Sequence, residues 1–146
     1  MLSTSRFITA IVLILLVSNA WSSPLIDAVE VGNLAKVRKL VAASADINQI
    51  DNRGIWPLLA AATDCNVTMV ELLLELKADP NKVDQYHYSA LHEAASLGYL
   101  DVVDTLIGAG ADINARDING ITPLGYALRS TSEEVATLLQ SVGGIQ

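Results

Sequence analysis

Two histidines, one cysteine and sixteen acidic residues are the side chains of this 146-residue sequence best suited to catalysis or metal binding. His87 and His92 stand five residues apart across a turn, which does not put two ligands on one helical face. A cysteine–histidine nucleophile needs the two groups in contact, and Cys65 belongs to a different segment of the chain. A single cysteine cannot close an internal disulfide. Asp112-Ile113-Asn114 opens like a calcium loop, but Arg116 follows at the fifth position and Pro123 at the twelfth, where Glu is required. Aspartates so placed are better read as turn formers. The sequence therefore points away from an enzyme, and neither a metal nor a cofactor is expected.

The elements that carry these residues follow a fixed period. Ala45-Asp46-Ile47-Asn48, Ala78-Asp79-Pro80-Asn81 and Ala111-Asp112-Ile113-Asn114 recur every 33 residues, as do Asp51, Asp84 and Asp117, and Leu25, Leu58, Leu91 and Leu124. Such a period marks a stack of repeated units. In one unit, Ser89 stands where a helix N-cap belongs, and the sister units place Pro24, Pro57 and Pro123 next, where a missing N–H costs nothing. Gly98 can take the left-handed conformation that ends a helix. Leu100, Val103, Leu106 and Ile107 then give a second helix one apolar face. Gly110 closes that helix, and a tight turn follows at Asp117-Ile118-Asn119-Gly120. A lone unit has no second face to bury against, so stacking is obligatory.

Ser89-Ala90-Leu91-His92-Glu93-Ala94-Ala95, the second-helix pattern and Gly110-Ala111-Asp112-Ile113-Asn114 resemble the ankyrin repeat, whose signature includes T-P-L-H-x-A. Thr122-Pro123-Leu124 restates that motif, whereas Trp56-Pro57-Leu58 departs from it at the Thr, and Leu59 replaces its His. The resemblance implies an all-α repeat fold, an ankyrin-type solenoid of about four helix–turn–helix repeats with β-hairpin fingers. The repeats would be 23–50, 51–83, 84–116 and 117–146, within a domain of residues 21–146. It also implies that His92 braces neighbouring loops by hydrogen bonds. His87 replaces the finger glycine seen at Gly54 and Gly120, and histidine is among the residues enriched at positive φ.

Residues 1–20 pose a separate problem. Arg6, the apolar stretch Phe7 to Val17 and the small residues Ser18 and Ala20 describe a secretory signal peptide. The apolar stretch falls short of the about 20 residues needed to cross a bilayer. Cleavage is expected after Ala20 or, failing that, after Ser22. An uncleaved anchor is the competing reading. No cysteine near the cut suggests a lipoprotein, and there is no twin arginine. Lys36, Arg38 and Lys39 make the first repeat's second helix polar, as a capping repeat requires, and Thr137 and Gln140 do the same at the other end. Asn66-Val67-Thr68 is a glycosylation sequon in an exported protein, but Asn66 is better read as a helix N-cap, matching Asn33 and Ser132.

The net charge is −7, and loss of Arg6 with the leader leaves eight basic against sixteen acidic residues, a net −8. That surface repels phosphate backbones and anionic lipid, so neither nucleic acid nor, after signal cleavage, a membrane is expected as partner. A protein with a neutral or basic face is. Two functions compete: a monomeric, non-catalytic interaction scaffold of the periplasm or extracellular space, and a membrane-tethered accessory subunit that keeps its leader as an anchor. The resemblance implies binding on a concave face of fingers and first helices. Carried onto this chain, that face comprises Asn52, Arg53 and Ile55, then Gln85, Tyr86 and Tyr88, then Ile118, Asn119 and Ile121. Thr63, Asp64, Ser96, Leu97, Arg129 and Ser130 lie beside them on the helices, with Tyr126 near. Tyr86 and Tyr88, rimmed by Arg53 and Arg116, are the expected anchors, because aromatic side chains dominate interface hot spots. Packing of Tyr88 along the neighbouring finger is the alternative. A small exported protein of this type resembles a bacterial envelope protein.

Overall fold

The computed structural model describes residues 23–146, so the expected signal peptide lies outside the described residues. Eight helices follow in pairs: α1 Pro24–Glu30 and α2 Leu34–Ala42, α3 Pro57–Thr63 and α4 Val67–Glu75, α5 Ala90–Leu97 and α6 Leu100–Gly108, α7 Pro123–Arg129 and α8 Glu133–Ser141. The inner helices α1, α3, α5 and α7 stack in order, each also packed on its own outer helix, and α4, α6 and α8 pack side by side behind them. The core runs through the stack, with Leu25, Leu58, Leu91 and Leu124 all buried at the same position of successive inner helices.

Local chemistry sets the helix limits. Ser23, Ser89 and Thr122 cap three inner helices through their side-chain oxygens, and proline opens α1, α3 and α7. Asn33 and Asn66 cap α2 and α4 by accepting from the N–H groups of Lys36 and Met69, so the sequon asparagine is engaged as a cap. Ser132 occupies the equivalent position before α8 but contacts Ser130 Oγ (2.9 Å) instead of the helix backbone. Gly98 ends α5 at φ 75°. Residues that replace glycine elsewhere still take the left-handed conformation, with φ of 71° at Ser44, 52° at Cys65, 73° at Lys77 and 57° at His87.

The fingers depart from the β-hairpin expectation. Among the described residues there is no β-strand, only an isolated antiparallel bridge between Val83 and Ser89. Each finger is a tight turn built on an aspartate. The N–H groups of Asp51, Asp84 and Asp117 donate to the carbonyls of Ile55, Tyr88 and Ile121, and each aspartate's Oδ1 accepts two further N–H groups within the loop. With the turn held by side-chain bonds, a paired ladder is not required. A second clip joins the repeats. Asn48, Asn81 and Asn114 accept from the N–H groups of Asp79, Asp112 and Ile145, at 2.9, 2.7 and 2.9 Å. The side-chain amides of Asn81 and Asn114 donate in turn to the carbonyls of Gly110 and Gly143.

Candidate partner-binding face

The three fingers and four inner helices present one continuous side of the stack, and its polar groups are largely committed to the fold. His92 is fully buried, with Nδ1 2.8 Å from Ser89 Oγ and Nε2 3.1 and 3.2 Å from the carbonyls of Ala115 and Ile121. Carbonyls only accept, so Nε2 carries the proton and Nδ1 accepts. Burial holds the imidazole pKa below its ordinary value, against the pull of those carbonyls and of Asp117 and Asp112. His92 thus links α5 to the next finger, as the resemblance implies.

Tyr88 is half-buried. Its ring stacks on His92 and meets Tyr126 edge-on, with both centroid separations 5.3 Å, and its hydroxyl donates to Glu93 Oε2 at 2.9 Å. Burial, reinforced by the Glu93 carboxylate, raises its pKa. Tyr126 donates to Asp117 Oδ2 at 2.8 Å. Burial alone would raise the Asp117 pKa, but bonds from the Ile121 N–H, the Tyr126 hydroxyl and Asn119 outweigh it and hold the carboxyl below its usual range. Asp51 behaves likewise, with the Ile55 N–H and the Arg53 side chain overcoming burial.

The expected anchors therefore divide. Tyr86 is 54% exposed at its fingertip, and its carbonyl accepts from the N–H of Ile118, itself 58% exposed on the next finger (3.0 Å). Leu97 is also exposed, Ser96 and Ile121 are half-buried, and Gln85 is exposed beside Tyr86. Arg53 spans Asp51 (2.7 Å) and Glu30 (2.8 Å). The Arg116 guanidinium donates to the carbonyls of Gly120 and Gln146 and so ties the last finger to Gln146.

Of the expected residues, Ile55 and Tyr88 meet in a cleft of about 530 Å³, together with Thr63 and Asp64. Its other lining residues, Glu30, Leu59, Ala60 and Glu93, escaped the sequence reading. The 33-residue period could have found them. Leu59 stands at the register of His92, and Ala60 at that of Glu93 and Tyr126. A small residue where its sisters are large leaves the space. Among the described residues, no three His, Cys, Asp or Glu side chains gather to hold a metal ion, and no helix is long and apolar enough to cross a membrane. Cys65 is exposed.

An all-α stack of repeated helix pairs, clipped together by buried histidine and recurring asparagines, defines a solenoid repeat protein. A family model of ankyrin repeats (3 copies) matches residues 25–117, and the chain belongs to the ankyrin repeat family. Comparison with curated proteins finds no match. Ankyrin repeats generally mediate protein–protein interaction and are typically non-enzymatic modules. The α7–α8 pair follows the matched segment.

Proposed function

We propose that this protein is an exported, non-catalytic scaffold that binds a protein partner on the face of its fingers and inner helices. The observation that carries this reading is the pair of fingertip apolar side chains, Tyr86 and Ile118, each more than half exposed and hydrogen-bonded backbone to backbone on adjacent fingers. Neither side chain serves the core, and exposed apolar groups side by side favour a binding surface. The α7–α8 unit, residues 117–146, is a fourth repeat whose outer helix carries Thr137 and Gln140 exposed to solvent. The chain's net charge of −7 suits a monomer, because like-charged copies repel one another.

The apolar leader before Pro24 supports export to the periplasm or outside the cell. Fractionation followed by intact-mass measurement is expected to find a chain beginning at Trp21 or Ser23. A full-length mass in the membrane pellet would instead mark an anchored accessory subunit. For the surface, affinity capture from envelope extract with the Tyr86→Ala/Ile118→Ala protein should recover at least about tenfold less partner, equivalent to about 1.4 kcal/mol, with an unchanged melting temperature. Equal capture by the folded double variant would move the site off this face.

A further inference from the structure

The cleft between α3 and α5 combines an apolar lining of Ile55, Leu59, Ala60 and Tyr88 with three carboxylates, Glu30, Asp64 and Glu93, and no lysine or arginine. Glu30 is neutralised from outside by Arg53 Nη2 at 2.8 Å. Among the described residues Asp64 has no ion pair, and Glu93 holds only the hydroxyl of Tyr88. Two uncompensated negative charges thus flank an apolar space of about 530 Å³, well within the range of about 300–1,000 Å³ typical of ligand pockets.

We propose that this cleft receives a basic side chain, arginine or lysine, carried on an extended segment of the protein partner. The aliphatic stem lies along Ile55, Leu59 and Tyr88, and the cationic head sits between Asp64 and Glu93. Arginine and lysine are built for such a site, since their stems pack on apolar surface while their heads keep polar company, and a charged head bonds a carboxylate more strongly than a neutral donor does. A purely apolar segment would strip water from Asp64 and Glu93 and return nothing. An acidic segment would meet like charge on a chain whose net charge is already −7. This assignment rests on the reading that the finger and inner-helix face binds a protein, and it adds the chemistry of the segment recognised there.

The test uses random linear peptides displayed on phage, selected on the purified protein, then synthesised and titrated by fluorescence polarisation. Selected peptides are expected to share an arginine or lysine beside an aliphatic residue. Asp64→Asn/Glu93→Gln should weaken them at least about tenfold, and the Glu71→Gln/Asp104→Asn control, with the same charge change on exposed outer-helix positions, less than about twofold. Peptides lacking a basic residue, or equal weakening by both double variants, overturn the assignment. If those peptides still lose binding to Tyr86→Ala, the face remains a protein-binding surface. Binding indifferent to all these variants, or no peptide selected above background, overturns both readings.

Discussion

His92 shows how one side chain can make the stack sensitive to acid. Its folded pKa lies below its ordinary 6.5, chiefly because burial disfavours the imidazolium. As pH falls, the unfolded chain therefore takes up that proton first. The stability His92 contributes is complete above about pH 6.5, declines from there toward the folded pKa, and then levels off. Asp51 and Asp117, held below 3.8, add a second loss only when the pH drops beneath that value. The melting temperature should accordingly fall between pH 8 and pH 5 (working limits of about this range suit the imidazole). His92→Leu should flatten that profile while losing about 1–3 kcal/mol at the alkaline end, because the Ala115 and Ile121 carbonyls lose their donor. An unaltered profile in the variant would assign the acid response elsewhere.

At the scale of the element, α3 is the helix that breaks the family pattern at both ends of its first turn. Trp56 takes the place of a capping hydroxyl, makes no cap bond, and is fully buried with its indole Nε1 lacking a hydrogen-bond partner. Helix α3 therefore holds by packing. Replacing Trp56 with Thr would restore a cap worth about 0.5–2 kcal/mol but vacate core volume at a cost of about 3–5 kcal/mol. Net destabilisation is expected from urea unfolding, and a Thr variant as stable as the parent would refute the packing account. Trp56→Phe keeps most of the bulk and removes the orphaned donor, so its cost should stay under about 1.5 kcal/mol. The same departure shapes the face: Leu59 and Ala60 leave α3 apolar and small where α5 carries His92 and Glu93.

For the whole molecule, stability is a chain of neighbour contacts, so a defect in the middle is shared. Leu73 and Leu106 are fully buried in α4 and α6. Cutting either to Ala should cost about 2–5 kcal/mol and lower the denaturant midpoint of the stack as a unit. Asn81→Ala removes the bonds to Asp112 and Gly110, but at an exposed site water replaces them, and about 1 kcal/mol is expected. If the asparagine variant proved costlier than the two leucine variants, inter-repeat clips rather than the core would govern cohesion.

Sequence alone determined the period, the helix pairs, their proline starts, the left-handed closings and the positive φ of His87 in its finger turn (57°). Those features depend on residues a few positions apart, where capping, steric freedom and helical spacing act within one turn of chain. Only the tertiary structure decided what spans repeats. The aspartate turns proved self-sufficient without strands, and the asparagines of the Ala-Asp-x-Asn segments became clips to groups about a repeat away. Tyr88, expected at the surface beside Tyr86, folds against His92 and Tyr126, because its hydroxyl finds Glu93 within reach. Arg116 turns to the carbonyls of Gly120, on its neighbouring finger, and of Gln146. The acidic cleft arises from a small residue in one repeat set against large ones in the next, a relation that exists only once the repeats are stacked.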